Sequence, residues 1–273
     1  MPPLVRTTRC RNPIRLPAVD GLRGLLAMVV LTWHLTERMG LLWLGVASQA
    51  AVCSFFVLSG YVLTRSWDGK FGLFLARRFL RLWPVYALSL AAGYAIAGAH
   101  PSWLQFLWYP ILSPDAKPVI DKPIWSLCIE AWAMLFMPLF LWASASALRA
   151  AFTAVFIVVA AIGYTKLFFG LFFVAGAYFS RWEFRSPFLE SYLPQWLGRI
   201  SYSLYLTHWL VFELAQRTLG IWGPVALLPL TFFIGWLVWR FVERPSIRYS
   251  RNLGSLFTSS LRHWASPTAL PRS

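Results

Sequence analysis

Leu16–Thr36, LPAVDGLRGLLAMVVLTWHLT, is an apolar run that opens on Asp20 and Arg23 and carries His34 near its far end. Arg23 and His34 are eleven positions apart. At 3.6 residues per turn that is close to three whole turns, so both side chains leave one face of a helix, about 16 Å apart along its axis. A cation and a titratable base on one face of an apolar helix are costly in lipid unless they face protein or water. The run therefore predicts a membrane helix with a polar inner face.

Composition supports a bilayer as the solvent. The chain has 273 residues, of which 58% are hydrophobic and 13% charged, with mean hydropathy +0.58. A soluble domain carries about 25% charged residues. Sixteen Trp and 22 Phe suit interfacial belts and aromatic helix packing. The net charge of +15 does not mark a nucleic-acid binder, because the basic residues flank apolar runs. Cys10, Cys53 and Cys128 are an odd set without metal-ligand spacing and read as reduced thiols; no metal site is expected. Arg6, Arg9, Arg11 and Arg15 before an apolar run imitate a signal peptide, but Asp20, Arg23 and His34 within it predict a retained first helix.

Runs near the spanning length of ~20 residues lie at about 19–37, 42–64, 83–99, 122–143, 148–165, 166–181, 196–216 and 221–242. The fifth and sixth meet at Gly163–Lys166, as a hairpin or one broken helix. The segment 102–113 is apolar but short, and reads as interfacial or re-entrant. Arg and Lys clusters precede span one, separate spans two and three, separate six and seven, and follow eight. Alternation puts them all on one side, as the positive-inside rule requires. The fold expected is all-α: a polytopic bundle of about eight transmembrane helices with both termini cytoplasmic, in an inner or plasma membrane. A basic N-terminal segment (1–18) precedes the membrane domain (19–245), and a basic, disordered tail (246–273) follows it.

Two groups of residues carry possible chemistry. On that layout His34 lies near the outer end of span one, and Glu130 about eight residues into span four, counted from the outer side. An imidazole beside a buried carboxylate is the arrangement of an oriented general base; the alternative is a structural pair tying two helices together. At the inner end Arg78 and Arg81, spaced i, i+3 on a helix, join Arg23 as candidates for binding phosphate oxygens; the alternative is a positive-inside flank on lipid headgroups. Further cavity candidates are Asp20, Ser59, Tyr61, Ser126, Tyr205 and His208. For His208 a packing role, and for Ser59-Gly60-Tyr61 a close helix contact, are the competing readings.

In order along the chain stand DGLRG with His34, FFVLSGYVL (55–63), RRFLRLWPVY (77–86), IWSLCIEAW (124–132), ISYSLYLTHW (200–209) and VERP (242–245). This series, through about Gly21–Pro245, resembles the acyltransferase-3 family of multispanning membrane acyltransferases. The resemblance matches Arg23 and His34 to the family's Arg–His motif, Arg78 and Arg81 to its RxxR element, and Glu130 to the glutamate of WSLxxE. It implies transfer of an acyl group, acetyl by expectation, from cytoplasmic acyl-CoA to a hydroxyl of a carbohydrate or other exported acceptor. Two departures stand out: about ten spans are usual, and the second acid and FY pair that often follow the glutamate are replaced by Ala131-Trp132-Ala133-Met134. The layout predicts a water-lined passage, basic at its inner mouth, with His34 oriented by Glu130 nearer the outer one. The rival classes are a transporter or flippase of an anionic or lipid-linked molecule, and a non-catalytic relative.

Overall fold

The computed structural model describes residues 16–41, 45–100, 102, 123–163 and 165–253. The segment 103–113, Lys117, Lys122, Cys10, the N-terminal arginines and the tail from 254 lie outside the described residues. Those described are helical and include no strand. The helices are α1 (Pro17–Arg38), α2 (Gly45–Arg65), α3 (Phe71–Ala97), α4 (Ile124–Leu135), α5 (Met137–Ser144), α6 (Ala147–Gly163), α7 (Gly170–Phe179), α8 (Tyr192–Leu219) and α9 (Leu228–Val238). A 3₁₀ segment, Thr165–Phe169, precedes α7, and a π turn, Trp239–Glu243, continues α9 into a helix ending at Leu253. The first eight residues of the expected tail are thus helical.

Three helices, α1, α2 and α3, are long and apolar enough to cross a membrane, and five spans result if each bent pair counts as one. The bends are 68° between α4 and α5 and 90° before α9. The outer faces are those of a protein in lipid. On α6, Phe152, Phe156, Val159 and Ile162 are all more than half exposed, which no aqueous surface of a monomer tolerates as a patch.

The DGLRG stretch fixes the centre. A Cβ on Gly21 would collide with the carbonyl of Leu189, one on Gly24 with the backbone of Gly198, and one on Gly198 with the carbonyl of Asp20. These glycines bring α1 and α8 into backbone contact, which is how membrane helices associate without a hydrophobic drive. The two run parallel. Gln195 donates to the carbonyl of Pro17 at one end, and Arg38 reaches Gln216 and Glu213 at the other. Gly60 on α2 meets Phe173 on α7, and Gly176 meets Val57, so Ser59-Gly60-Tyr61 is a close helix contact. α2 and α7 are also parallel, since Arg65 and Tyr61 bond Ser180 and Trp182 beyond the end of α7. α3 runs with α8, as Ser89 donates to Leu206 and Arg217 to Ile96. α6 packs against α7, so the Gly163 boundary is a hairpin.

Candidate functional site

α3 is helical from Phe71, twelve residues before the expected span, and continues through Pro84. Arg78 and Arg81 therefore lie on one helix and point with Arg23 into a shared region. Arg81 is within electrostatic reach of Arg23, Asp20, Glu130 and Glu243, and Arg78 of Arg81, Arg23 and Glu130. Three guanidinium groups and three carboxylates thus meet at the end of the bundle where α1 and α8 begin. Yet Arg23 and Arg81 make no hydrogen bond or ion pair with any described residue, and Arg78 has one hydrogen bond, to Ser66 Oγ at 2.8 Å. A guanidinium carries five donors, so this cluster presents most of its hydrogen-bonding capacity to a ligand.

Above it lies a polar cavity of about 40 Å³, lined by Arg23, Ser59, Ser126, Glu130, Tyr202 and Tyr205, among others. Glu130 accepts a hydrogen bond from Ser59 at 3.2 Å, and Ser126 and Tyr205 share one at 2.8 Å. Of the candidates, Ser59, Ser126 and Tyr205 line this space. Tyr61 does not: its hydroxyl donates to the carbonyl of Trp182. Asp20 does not line it and is exposed near the start of α1. The cavity has room for only a few waters.

His34 does not line it. Its Nδ1 is 3.2 Å from Oε2 of Glu37, one turn along α1. Its ring stacks on His208 at 5.3 Å and meets the edge of Trp209 at 5.1 Å. His208 in turn lies 6.0 Å from Tyr205, so a layer of Tyr205 and His208 separates the cavity from His34. His208 is 1% exposed; Nδ1 donates to the carbonyl of Leu204, and Nε2 is buried with no partner among the described residues. His34 is 14% exposed and is reached from the end where Arg38 bonds Glu213 and stacks over Trp209.

The carboxylate bonded to His34 is therefore Glu37, and Glu130 belongs with the arginines. The depth of α4 explains the difference. Its first turn meets Tyr205, halfway along α8, so one further turn brings Glu130 toward the end where α1 and α8 begin and not to the level of His34. Sequence reasoning also passed over Glu243 of VERP. This carboxylate is 3% exposed, accepts from Ser203 at 2.6 Å and faces Arg81. Its signal was available: a lone acid closing an apolar run. Among the described residues no cluster fit to hold a metal ion is present.

An all-helical protein with membrane-length helices, a buried arginine cluster and a histidine–carboxylate pair on its central helix defines a class of membrane-embedded group-transfer or transport proteins. Comparison narrows it: the family model described as "Acyltransferase domain" matches residues 16–193, more than half of the 273-residue chain, and the chain belongs to this acyltransferase-3 family. "Protein 2 in picA locus" of Rhizobium radiobacter is 32% identical over 133 residues, 46% of this chain and 66% of that protein. The peptidoglycan O-acetyltransferase OatA of Listeria monocytogenes serovar 1/2a is 30% identical over 164 residues, 50% of this chain and 25% of OatA. The acyltransferase MdmB of Streptomyces mycarofaciens is 30% identical over 151 residues, 46% of this chain and 39% of MdmB. The matches thus span between a quarter and two thirds of these relatives. No solved structure matches the chain.

Proposed function

We propose that the protein is an integral membrane O-acyltransferase that moves an acyl group, acetyl by expectation, from cytoplasmic acyl-CoA to a hydroxyl of a carbohydrate or other exported acceptor. The observation that carries this reading is the cluster of Arg23, Arg78 and Arg81, whose donors are almost entirely uncommitted among the described residues. Such a cluster suits the phosphates of a nucleotide donor, because arginine meets phosphate oxygens in a fork of parallel hydrogen bonds. Names of the relatives OatA and MdmB support acyl transfer.

In this reading the arginines hold the donor's phosphates at the inner mouth, balanced by Glu130, Asp20 and Glu243. The acyl arm extends along α1, over the ~16 Å that separate Arg23 from His34. His34, oriented by Glu37, takes the proton of the acceptor hydroxyl as its oxygen attacks the thioester carbonyl, and CoA leaves as the thiolate. Tyr205 and His208 must part for this to occur.

We infer eight crossings with both termini cytoplasmic in an inner or plasma membrane. The helix directions support it. α1, α3 and α8, spans one, three and seven, are mutually parallel, and α2 and α7, spans two and six, are parallel to each other.

Purified protein in vesicles, given acetyl-CoA labelled in the acetyl group, is expected to release free CoA and label a hydroxyl acceptor. His34→Ala with normal membrane insertion is expected to abolish both. Passage of label with CoA still esterified would instead assign a transporter.

A further inference from the structure

Beside the polar cavity runs a second, larger space of about 240 Å³. One wall is a single stripe of α3 from Leu75 to Tyr86, and the other a stripe of α4 from Leu127 to Leu135, with Tyr202 of α8 at the back. The lining is apolar except for Arg78 and the tyrosines. At the first turn of α4, Ile124 packs with Val85 and Tyr86 of α3 and Leu206 of α8; beyond it α3 rests mainly on α8 and the π turn, and α4 mainly on α2, α5 and α7. Among the described residues the groove is flanked by Phe79 and Leu135, each more than half exposed (53% and 52%).

We propose that this groove binds one tail of an anionic phospholipid, with the lipid phosphate on Arg78. Three features select that occupant. The α3 wall is twelve residues long, about 16 Å from first to last, which matches one leaflet's share, ~15 Å, of a ~30 Å hydrocarbon core. Among the described residues the groove's rim carries the exposed apolar side chains Phe79 and Leu135, which suits an occupant that enters from the bilayer. The one charged lining residue sits toward the inner end, where a phosphate of the inner leaflet lies when its tail runs toward Tyr86. Arg78 has one described hydrogen bond, to Ser66; the lipid phosphate and the donor phosphates proposed above compete for its other donors. Ala131 leaves room for the tail on the α4 side. The leaflet assignment rests on the proposed topology; the lipid chemistry does not, and neither rests on acyl transfer.

The test uses the full chain in detergent with two photoactivatable probes, phosphatidylglycerol and phosphatidylcholine, each carrying a diazirine in one tail. Both lipids carry the phosphate, but the choline ammonium of phosphatidylcholine is repelled by Arg78 and the neighbouring Arg23 and Arg81, so phosphatidylglycerol is expected to label peptides of α3 and α4 about tenfold more. Ala131→Trp fills the groove and is expected to remove that labelling, with unchanged thermal stability. Arg78→Gln is expected to erase the preference for phosphatidylglycerol while tail labelling persists. Competition on the unaltered protein needs no variant: unlabelled phosphatidylglycerol must displace the probe, and phosphatidylcholine must not. Equal labelling by both probes, or full labelling of a folded Ala131→Trp protein, overturns the proposal. Stronger displacement by palmitoyl-CoA than by phosphatidylglycerol also overturns it and reassigns the groove to the chain of a long-chain donor.

Discussion

His34 Nδ1 and Glu37 Oε2 lie 3.2 Å apart on consecutive turns of one helix. A histidine and its carboxylate on the same helix keep their geometry whatever the neighbouring helices do. The pairing leaves Nε2 as the nitrogen that faces away from Glu37, and a carboxylate on one ring nitrogen fixes the tautomer and raises the basicity of the other.

Glu37→Gln is therefore expected to lower kcat by about one to two orders of magnitude, within the span of general-base contributions, and to leave KM for acyl-CoA unchanged. Steady-state kinetics in vesicles check it. An unaltered kcat would remove Glu37 from the proposed chemistry.

Arg81→Gln is expected to raise KM for acyl-CoA at least about tenfold, since hydrogen bonds to charged groups are worth about 1.5–3 kcal/mol. Glu130→Gln, beside Ser59 and the arginines, is expected to change KM for the donor and not the His34-dependent step. If Glu130→Gln instead matched His34→Ala, the separation between the two residues would carry no functional meaning.

Glu243 is buried against Ser203 at 2.6 Å. Glu243→Ala leaves that hydroxyl without its acceptor and the facing Arg81 without a nearby opposite charge, and is expected to cost about 1–3 kcal/mol of stability. Glu243→Gln keeps the hydrogen bond and is expected to retain the fold. Thermal melts in detergent compare the two, and equal losses would indicate packing alone.

Gly24→Val drives a side chain into the backbone of Gly198 and the Cβ of Leu197. Separating α1 from α8 is expected to cost at least about 1–3 kcal/mol, as overpacking does, and to reduce the yield of folded protein. The equivalent change at Gly72, whose Cβ would meet nothing, is the control.

Topology is checked with single cysteines in a Cys-free background. His100→Cys, just past α3, is expected to react with an impermeant maleimide from outside the cell only, and Arg185→Cys, between α7 and α8, from inside only. Both residues reacting from one side would refute the eight-span layout.

Much of the arrangement was legible in the sequence because it follows from spacing along single helices. Arg23 and His34 share a helix, Arg78 and Arg81 share another, and the glycines of DGLRG and SGY mark close contacts. What was not legible depends on where a helix starts relative to its neighbours. The depth of Glu130 is set by the meeting of α4 with Tyr205, a contact between residues 79 positions apart. Counting from the end of an apolar run assumes that the helix begins there. Glu37 was passed over for a related reason: a carboxylate in the last turn of α1 looks like a surface residue until Trp209 and His208 of α8 close around its partner. The buried role of Glu243 depends on the π turn, which is a tertiary feature of the α9 junction.

The Tyr205–His208 layer has a physiological corollary. A bore open at both ends would let protons run down the electrochemical gradient of the cell. In the proposed function, that aromatic layer keeps the two compartments insulated while an acyl group is handed across. Vesicles carrying the resting protein should accordingly hold an imposed pH difference as long as empty ones do.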